Sequence, residues 1–292
     1  MKKNRNHVWN VVAGFCIIIA AVSTPIYAET ADCTHIMSLP YTIEKQGMYC
    51  LTANLVTGIT SGNAITINAN NVVLDLNGNE VSGLGAGTGT QAYGIYSLQR
   101  KNITIKNGTV RGFMCGIWLD DDPPHTTSGG HIIENIRADT NTFAGIKIVG
   151  LGNIIRNNKV FSTGGSTYGS VNSARGILVS GPGNKVINND ISDTKEQSSG
   201  HAFGVLVSGS DGAVVEGNRI ASSGSDAGTS YGIYIITSND VLVKNNRISK
   251  MNFGVYYSGS TVKYSDNSII DVTTPYMKGT GIEKLPYMFR MR

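Results

Sequence analysis

GIYSLQRKNITIKNGTV, residues 94–110, holds a glycine, a short apolar run, a polar turn, a second run ending at Ile105, and Lys-Asn-Gly-Thr before Val110. The same grammar returns from Gly116 (GIWL…IIENIRA), Gly145 (GIKI…IIRNNKV), Gly176 (GILV…VINNDI), Gly204 (GVLV…VEGNRI), Gly232 (GIYI…VKNNRI) and Gly254 (GVYY…YSDNSI). Successive leading glycines stand 22, 29, 31, 28, 28 and 22 residues apart, and a glycine-less copy from Ala64 (AITINANNVVLDLNGNEV) makes eight. A period in this range means stacked units. Each copy alternates β-branched and polar residues between Gly, Asn, Asp and Ser, the signature of strand and turn, and no long window has helical period. A coil this short cannot bury an apolar face alone, but parallel stacking at about 4.8 Å per coil solves that. The expected architecture is therefore an all-β solenoid, a parallel β-helix of about eight coils over residues 62–271.

Aligned on the glycine, the copies form columns. One residue later stand Ile95, Ile117, Ile146, Ile177, Val205, Ile233 and Val255, an inward apolar stack. One residue earlier stand Tyr93, Cys115, Ala144, Arg175, Phe203, Tyr231 and Phe253, which strand parity also turns inward, with Arg175 as the outlier. In the later turn a column reads Asn79, Gly108, Ile136, Asn158, Asn189, Asn218, Asn246 and Asn267. Asn tolerates left-handed backbone, and its amide both donates and accepts, so stacked Asn side chains can bond from coil to coil. The sequons at Asn102 and Asn107 fall in or beside this turn, where structural use outweighs glycosylation.

Outside the repeat, residues 1–28 read as an export signal, with Lys2, Lys3 and Arg5 before an apolar core and a small-residue cleavage region. That apolar run is short for a membrane span. Loss of the three signal cations takes the net charge from +4 to +1, which leaves no basic footprint for a nucleic-acid partner. Residues 29–61 are expected to cap the first coil, stapled by a Cys33–Cys50 disulfide in an oxidising compartment, either periplasmic or extracellular. Cys115 reads as a buried free thiol, and residues 272–292 as a terminal cover.

The GI-strand, NITIKNGTV and VxxNxI pattern resembles the right-handed parallel β-helix superfamily of pectate lyases and their relatives. The resemblance implies a single-stranded right-handed helix. It leaves function open, because that fold carries lyases, hydrolases, epimerases, adhesins and phage tailspikes. Polygalacturonase-type hydrolases share Asn-Thr-Asp, Asp-Asp, Gly-His-Gly and Arg-Ile-Lys blocks, of which only Asp121-Asp122 and a partial Gly200-His201 stand here. The Asp-Pro-His-Asp of alginate C5-epimerases is approached only by Asp122-Pro123-Pro124-His125, and the Arg-x-Pro-x-x-Arg of calcium pectate lyases is absent.

Coil length varies at particular places. Extra residues at 120–130 follow the first strand of their coil, and those at 162–173, 192–202 and 221–230 precede the first strands that start at Gly176, Gly204 and Gly232. Variable loops along one side of a solenoid mark its binding side. The outward column there includes Tyr96, Trp118, Lys147, Leu178, Leu206, Tyr234 and Tyr256. Tyr96, Trp118, Tyr234 and Tyr256 form either an aromatic track for a polysaccharide or packing beneath the loops. Elimination on an acidic glycan needs charge neutralisation, a base and an acid. Lys147 or His201 is the candidate base, Arg175 the carboxylate grip, and Asp120, Asp121 and Asp122 candidate Ca²⁺ ligands. The alternative is a non-catalytic surface, adhesive or structural glycan-binding protein.

Overall fold

A computed structural model describes residues 33–169, 171–197, 200–222 and 228–279. The expected signal, and residues 280–292 of the expected cover, lie outside them. The β-branched runs fold as strands of one 25-stranded sheet wound into a right-handed parallel β-helix. Each coil supplies three strand segments, and each segment stacks on its counterparts to form a face. In the coil of Gly116, Cys115–Asp120 lies on the first face, while Ile132–Asp139 serves the other two. Ile132 to Glu134 pairs with Ile154–Arg156, and Arg137 to Asp139 with Lys159–Phe161. The bend between them falls at Asn135, with φ 54°.

The ladder runs past both ends of 62–271. Tyr41–Ile43 pairs with Ile65, Thr66 and Ile67, and Ser268–Lys278 continues the first face above Phe253 and Val255. Much of the region expected as a non-repeating cap is thus strand: Ile36, Ile43, Tyr49 and Leu51 join the core without a leading glycine or an Asn turn. The Cys33–Cys50 disulfide is present there, and Cys115 is a buried free cysteine.

The column from Ile95 to Val255 is fully buried in one continuous core. The glycines before it are required by close approach. A Cβ on Gly116, Gly145, Gly176, Gly204 or Gly232 would fall under 3.0 Å from the carbonyl oxygen of the glycine one coil above. On Gly94, Gly145, Gly176, Gly204 and Gly232 it would also meet Val110, Val160, Ile191, Ile220 and Ile248 of the core. Glycine and its successor therefore both face inward, and the residue before is left outside. This corrects the parity expectation: Tyr93, Phe203, Tyr231 and Phe253 pack against rings of the outward column. Arg175 is no outlier, because its whole column lies outside the main core.

The asparagine column bonds as a ladder. From Asn158 through Asn189, Asn218 and Asn246 to Asn267, each amide nitrogen donates to the next amide oxygen at 3.0 Å. Each backbone N–H donates to that same oxygen at 2.9–3.0 Å. The left-handed residue is the one before, at Asn157, Asn188, Gly217, Asn245 and Asp266. A left-handed turn next to the ladder, rather than in it, leaves the ladder Asn free to point along the axis. The sequon residues are also used within the fold: Asn102 donates to Asn71 at 3.0 Å and Asn107 to Asp75 at 3.2 Å.

Candidate functional site

The outer side of the first face divides into two clusters. The upper one is dry and aromatic. Phe203, Tyr231 and Phe253 stack with centroids 5.3 and 5.0 Å apart, and Tyr234 stacks on Tyr256 at 4.9 Å. Tyr234 is 1% and Tyr256 3% exposed, so these two predicted glycan-binding rings are packed instead of presented. Leu206 and Ile236 fill between them, with Leu178 at the margin.

The lower cluster mixes rings with charge. Tyr93 and Tyr96 are half-buried, and both meet buried Trp118 edge-on, at 4.6 and 5.6 Å. Lys147, in register with Trp118 one coil below and itself half-buried, places Nζ 3.6 Å from the Trp118 ring centroid. Such a contact holds an ammonium over the negative face of the ring. Burial pulls the lysine pKa down, with Arg175 adding to the effect while Cys115 and Asp120 oppose it. Burial also raises the Asp120 carboxyl, with Lys147 opposing.

Arg175 is only 4% exposed. Its guanidinium lies 4.3 Å from the Phe143 ring and 5.7 Å from Phe203, and Nη1 donates to the Ser173 carbonyl at 3.2 Å. Its buried Nε–H meets no acceptor among the described residues. Burial lowers this guanidinium to about 10. It also raises the Cys115 thiol to about 12 and Tyr96 to about 12, and drives Tyr93 higher still. At neutral pH the tyrosines and the thiol therefore keep their protons. Two basic side chains, Lys147 and Arg175, share this cluster with Asp120, and Asp122 acts on Asp120 and Tyr96 from its edge.

Lys147, Arg175, Trp118, Tyr96 and Asp120 are thus brought together. The other predicted residues are not. The His201 ring lies 5.9 Å from Phe203 and 5.8 Å from Tyr231, on the aromatic side. The three aspartates do separate work. Buried Asp121 accepts from the N–H groups of Thr127 and Ser128 at 2.9 and 3.0 Å, closing its own loop. Exposed Asp122 accepts from Gln99 at 3.3 Å. Among the described residues the carboxylates of Asp120, Asp121 and Asp122 form no convergent ligand set for Ca²⁺.

The inserts line the edges of this face, and those at its entry are laced together. Thr167 N–H reaches the Thr88 carbonyl at 3.0 Å, Gln197 N–H the Asn172 carbonyl at 2.8 Å, and Gly228 N–H the Glu196 carboxylate at 2.7 Å. Parity reasoning missed Tyr93, Phe143 and Cys115. A glycine repeated within the strand was the available signal, since it marks close backbone approach.

A right-handed parallel β-helix with charged and aromatic residues on one face is the class these observations define. The family model "Right handed beta helix region" matches residues 125–283, and the chain belongs to that family. Among solved structures, the chain is similar to the enzymatically active domain of tailspike protein 2 from bacteriophage CBA120, with TM-score 0.61 and 14% identity over 85% of this chain and 43% of that one. It spans under half of that domain's length. It is also similar to the A-module of the Azotobacter vinelandii mannuronan C-5 epimerase AlgE4, with TM-score 0.49 and 16% identity over 86% of this chain and 85% of that one. The corresponding figures for pectate lyase Pel9A are 0.43, 16%, 75% and 69%. No curated protein sequence matches the chain. Among the described residues no helix is long and apolar enough to cross a membrane.

Proposed function

We propose that this chain is an exported, carbohydrate-active protein that takes a uronate-containing glycan on the lower half of its first face and acts as a polysaccharide lyase or C5-epimerase. The observation that carries the reading is the cluster around Trp118, where Lys147, its Nζ 3.6 Å from the ring centroid and its pKa lowered by burial, lies beside Asp120 and the protonated Tyr96. An acidic sugar brings a carboxylate into the field of the buried Arg175 guanidinium, which stays charged at neutral pH. The half-buried rings of Tyr93 and Tyr96 offer the apolar surface that a pyranose covers.

Both reactions begin by removing the proton at C5. Lys147, which loses its own proton more readily than a solvated lysine, is the base. Tyr96, held protonated, gives its proton to the leaving oxygen in elimination. In epimerisation a proton returns to C5 from the opposite side instead. Arg175 is too enclosed to grip the uronate directly and acts through its charge on Lys147. The disulfide supports export to an oxidising compartment.

The test is incubation with alginate, pectate and glycosaminoglycans, with and without Ca²⁺. Ultraviolet absorbance follows new C4–C5 double bonds, and NMR follows solvent deuterium entering C5. One of the two signals is expected, and Lys147→Ala should remove it. The packing of Tyr234 and Tyr256 favours a second reading, a non-catalytic glycan-binding or adhesive surface. Glycan binding with neither signal would select it.

A further inference from the structure

The bottom rung of the second face carries a ligand set that the first-face reading does not use. Cys33 stands two residues before His35, and His35 pairs directly with Cys50 across the parallel strands Thr34–Ile36 and Gly47–Leu51. His35 and its register partner Cys50 present their side chains on the same side of the sheet, and Cys33, bonded to Cys50, lies on that side too. One ligand atom from each of Cys33, His35 and Cys50 lies within 4.8 Å of the others. His35 is exposed and Cys33 half-buried, so an ion in solution can reach the group. In the oxidised chain the two sulfurs are bonded to each other. A tetrahedral zinc ion, with Zn–S about 2.3 Å and Zn–N about 2.0–2.1 Å, spaces such ligands by roughly 3.5–3.8 Å, within reach of side-chain adjustment.

We propose that Cys33, Cys50 and His35 become a thiolate–imidazole site for one zinc ion when the disulfide is reduced, with water at the fourth position. The steps balance. A dithiol reductant delivers two electrons and two protons to the Cys33–Cys50 bond and becomes a disulfide itself. Zinc then binds the two sulfurs and one ring nitrogen, releasing the two thiol protons. Either link, covalent or metal, ties Thr34–Ile36 to the coil above, and that strand pairs on one side only among the described residues.

The experiment uses the full chain reduced with a phosphine, which adds no competing thiol, and Co²⁺ as a spectroscopic stand-in before Zn²⁺ competition. One equivalent of Co²⁺ should produce a thiolate-to-metal charge-transfer band in the reduced protein and none in the oxidised one. Zn²⁺ should displace it and raise the Tm of the reduced protein only. His35→Ala, which keeps both cysteines, should weaken binding at least tenfold. An absent band in reduced protein would overturn the proposal. So would an undiminished band in His35→Ala, or one that survives in Cys33→Ser/Cys50→Ser and so belongs to Cys16 or Cys115.

Discussion

The lower and upper halves of the first face share one backbone register and differ in what they do with it. In the upper half, Phe203, Tyr231 and Phe253 repeat ring on ring, and their coils carry Asn218, Asn246 and Asn267 of the asparagine ladder. In the lower half the column begins with Gly108 and Ile136 and takes up the ladder only at Asn158 and Asn189, a loop closes on Asp121, and Lys147 and Arg175 interrupt the rings. Repetition satisfies every coil in the same way and is a route to stability. Departure from it leaves charge beside apolar surface, an arrangement that stability alone does not favour. The difference shows packing in one half, and it is the other half on which the proposed function rests.

Paired substitutions would break that assignment most directly. Lys147→Met should lower the rate of uronate turnover by about 10²–10⁴-fold, the usual contribution of a positioned base. Because the folded state disfavours the charged lysine, the same variant should hold or raise the Tm at neutral pH. Tyr234→Ala should do the reverse, costing roughly 3–5 kcal/mol in denaturant unfolding while turnover by the remaining folded protein stays near wild type. If Tyr234→Ala abolished turnover at full stability, the two halves would not be separate in function.

Much of this division was legible in the sequence, and the illegible parts have physical causes. The Ile95–Val255 stack and the Asn ladder could be read because stacking repeats one residue type at one address. The outward turn of Tyr93, Phe203 and Tyr231 could not. It depends on glycines whose inward orientation has no side chain to reveal it. Three consecutive aspartates look alike in sequence, yet the N–H groups of Thr127 and Ser128 claim one of them. The strands within 34–56 escaped notice because they have neither the glycine nor the turn Asn, although their inward residues alternate in the same way.

A smaller effect should separate the halves by pH. His131, fully buried in the coil of Trp118, accepts the Ile103 N–H at Nδ1 at 3.1 Å and meets the Ser128 hydroxyl through Nε2 at 2.8 Å. Burial lowers it from 6.5 to about 4. The unfolded chain therefore takes up a proton at a higher pH than the folded chain does, and acid favours unfolding. The contribution is whole above pH 6.5 and lost by about pH 4, amounting to about 3 kcal/mol. His131→Asn keeps an acceptor for Ile103, in the manner of Asn153 one coil above, and should flatten stability over that window. An unchanged pH profile would mean that His131 already charges freely in the native state.

The smallest effect tests the upper half. Asn218 accepts at Oδ1 from the Asn189 backbone N–H at 2.9 Å and the Asn189 amide at 3.0 Å, and donates to the Val186 carbonyl at 2.9 Å. Asn218→Ala leaves those buried groups without their partner, at about 1–3 kcal/mol. Asn267 is half-buried at the ladder's last rung, where water can replace part of what is lost, so Asn267→Ala should cost less. Unfolding of the two variants side by side measures whether the ladder's contribution comes from repetition or from burial. A cost at Asn267 equal to that at Asn218 would mean that each rung contributes alone. A larger cost at Asn218 means that burial sets the contribution of a rung, and the buried rungs Asn158 and Asn189, in the coils that carry Lys147 and Arg175, should then behave like Asn218.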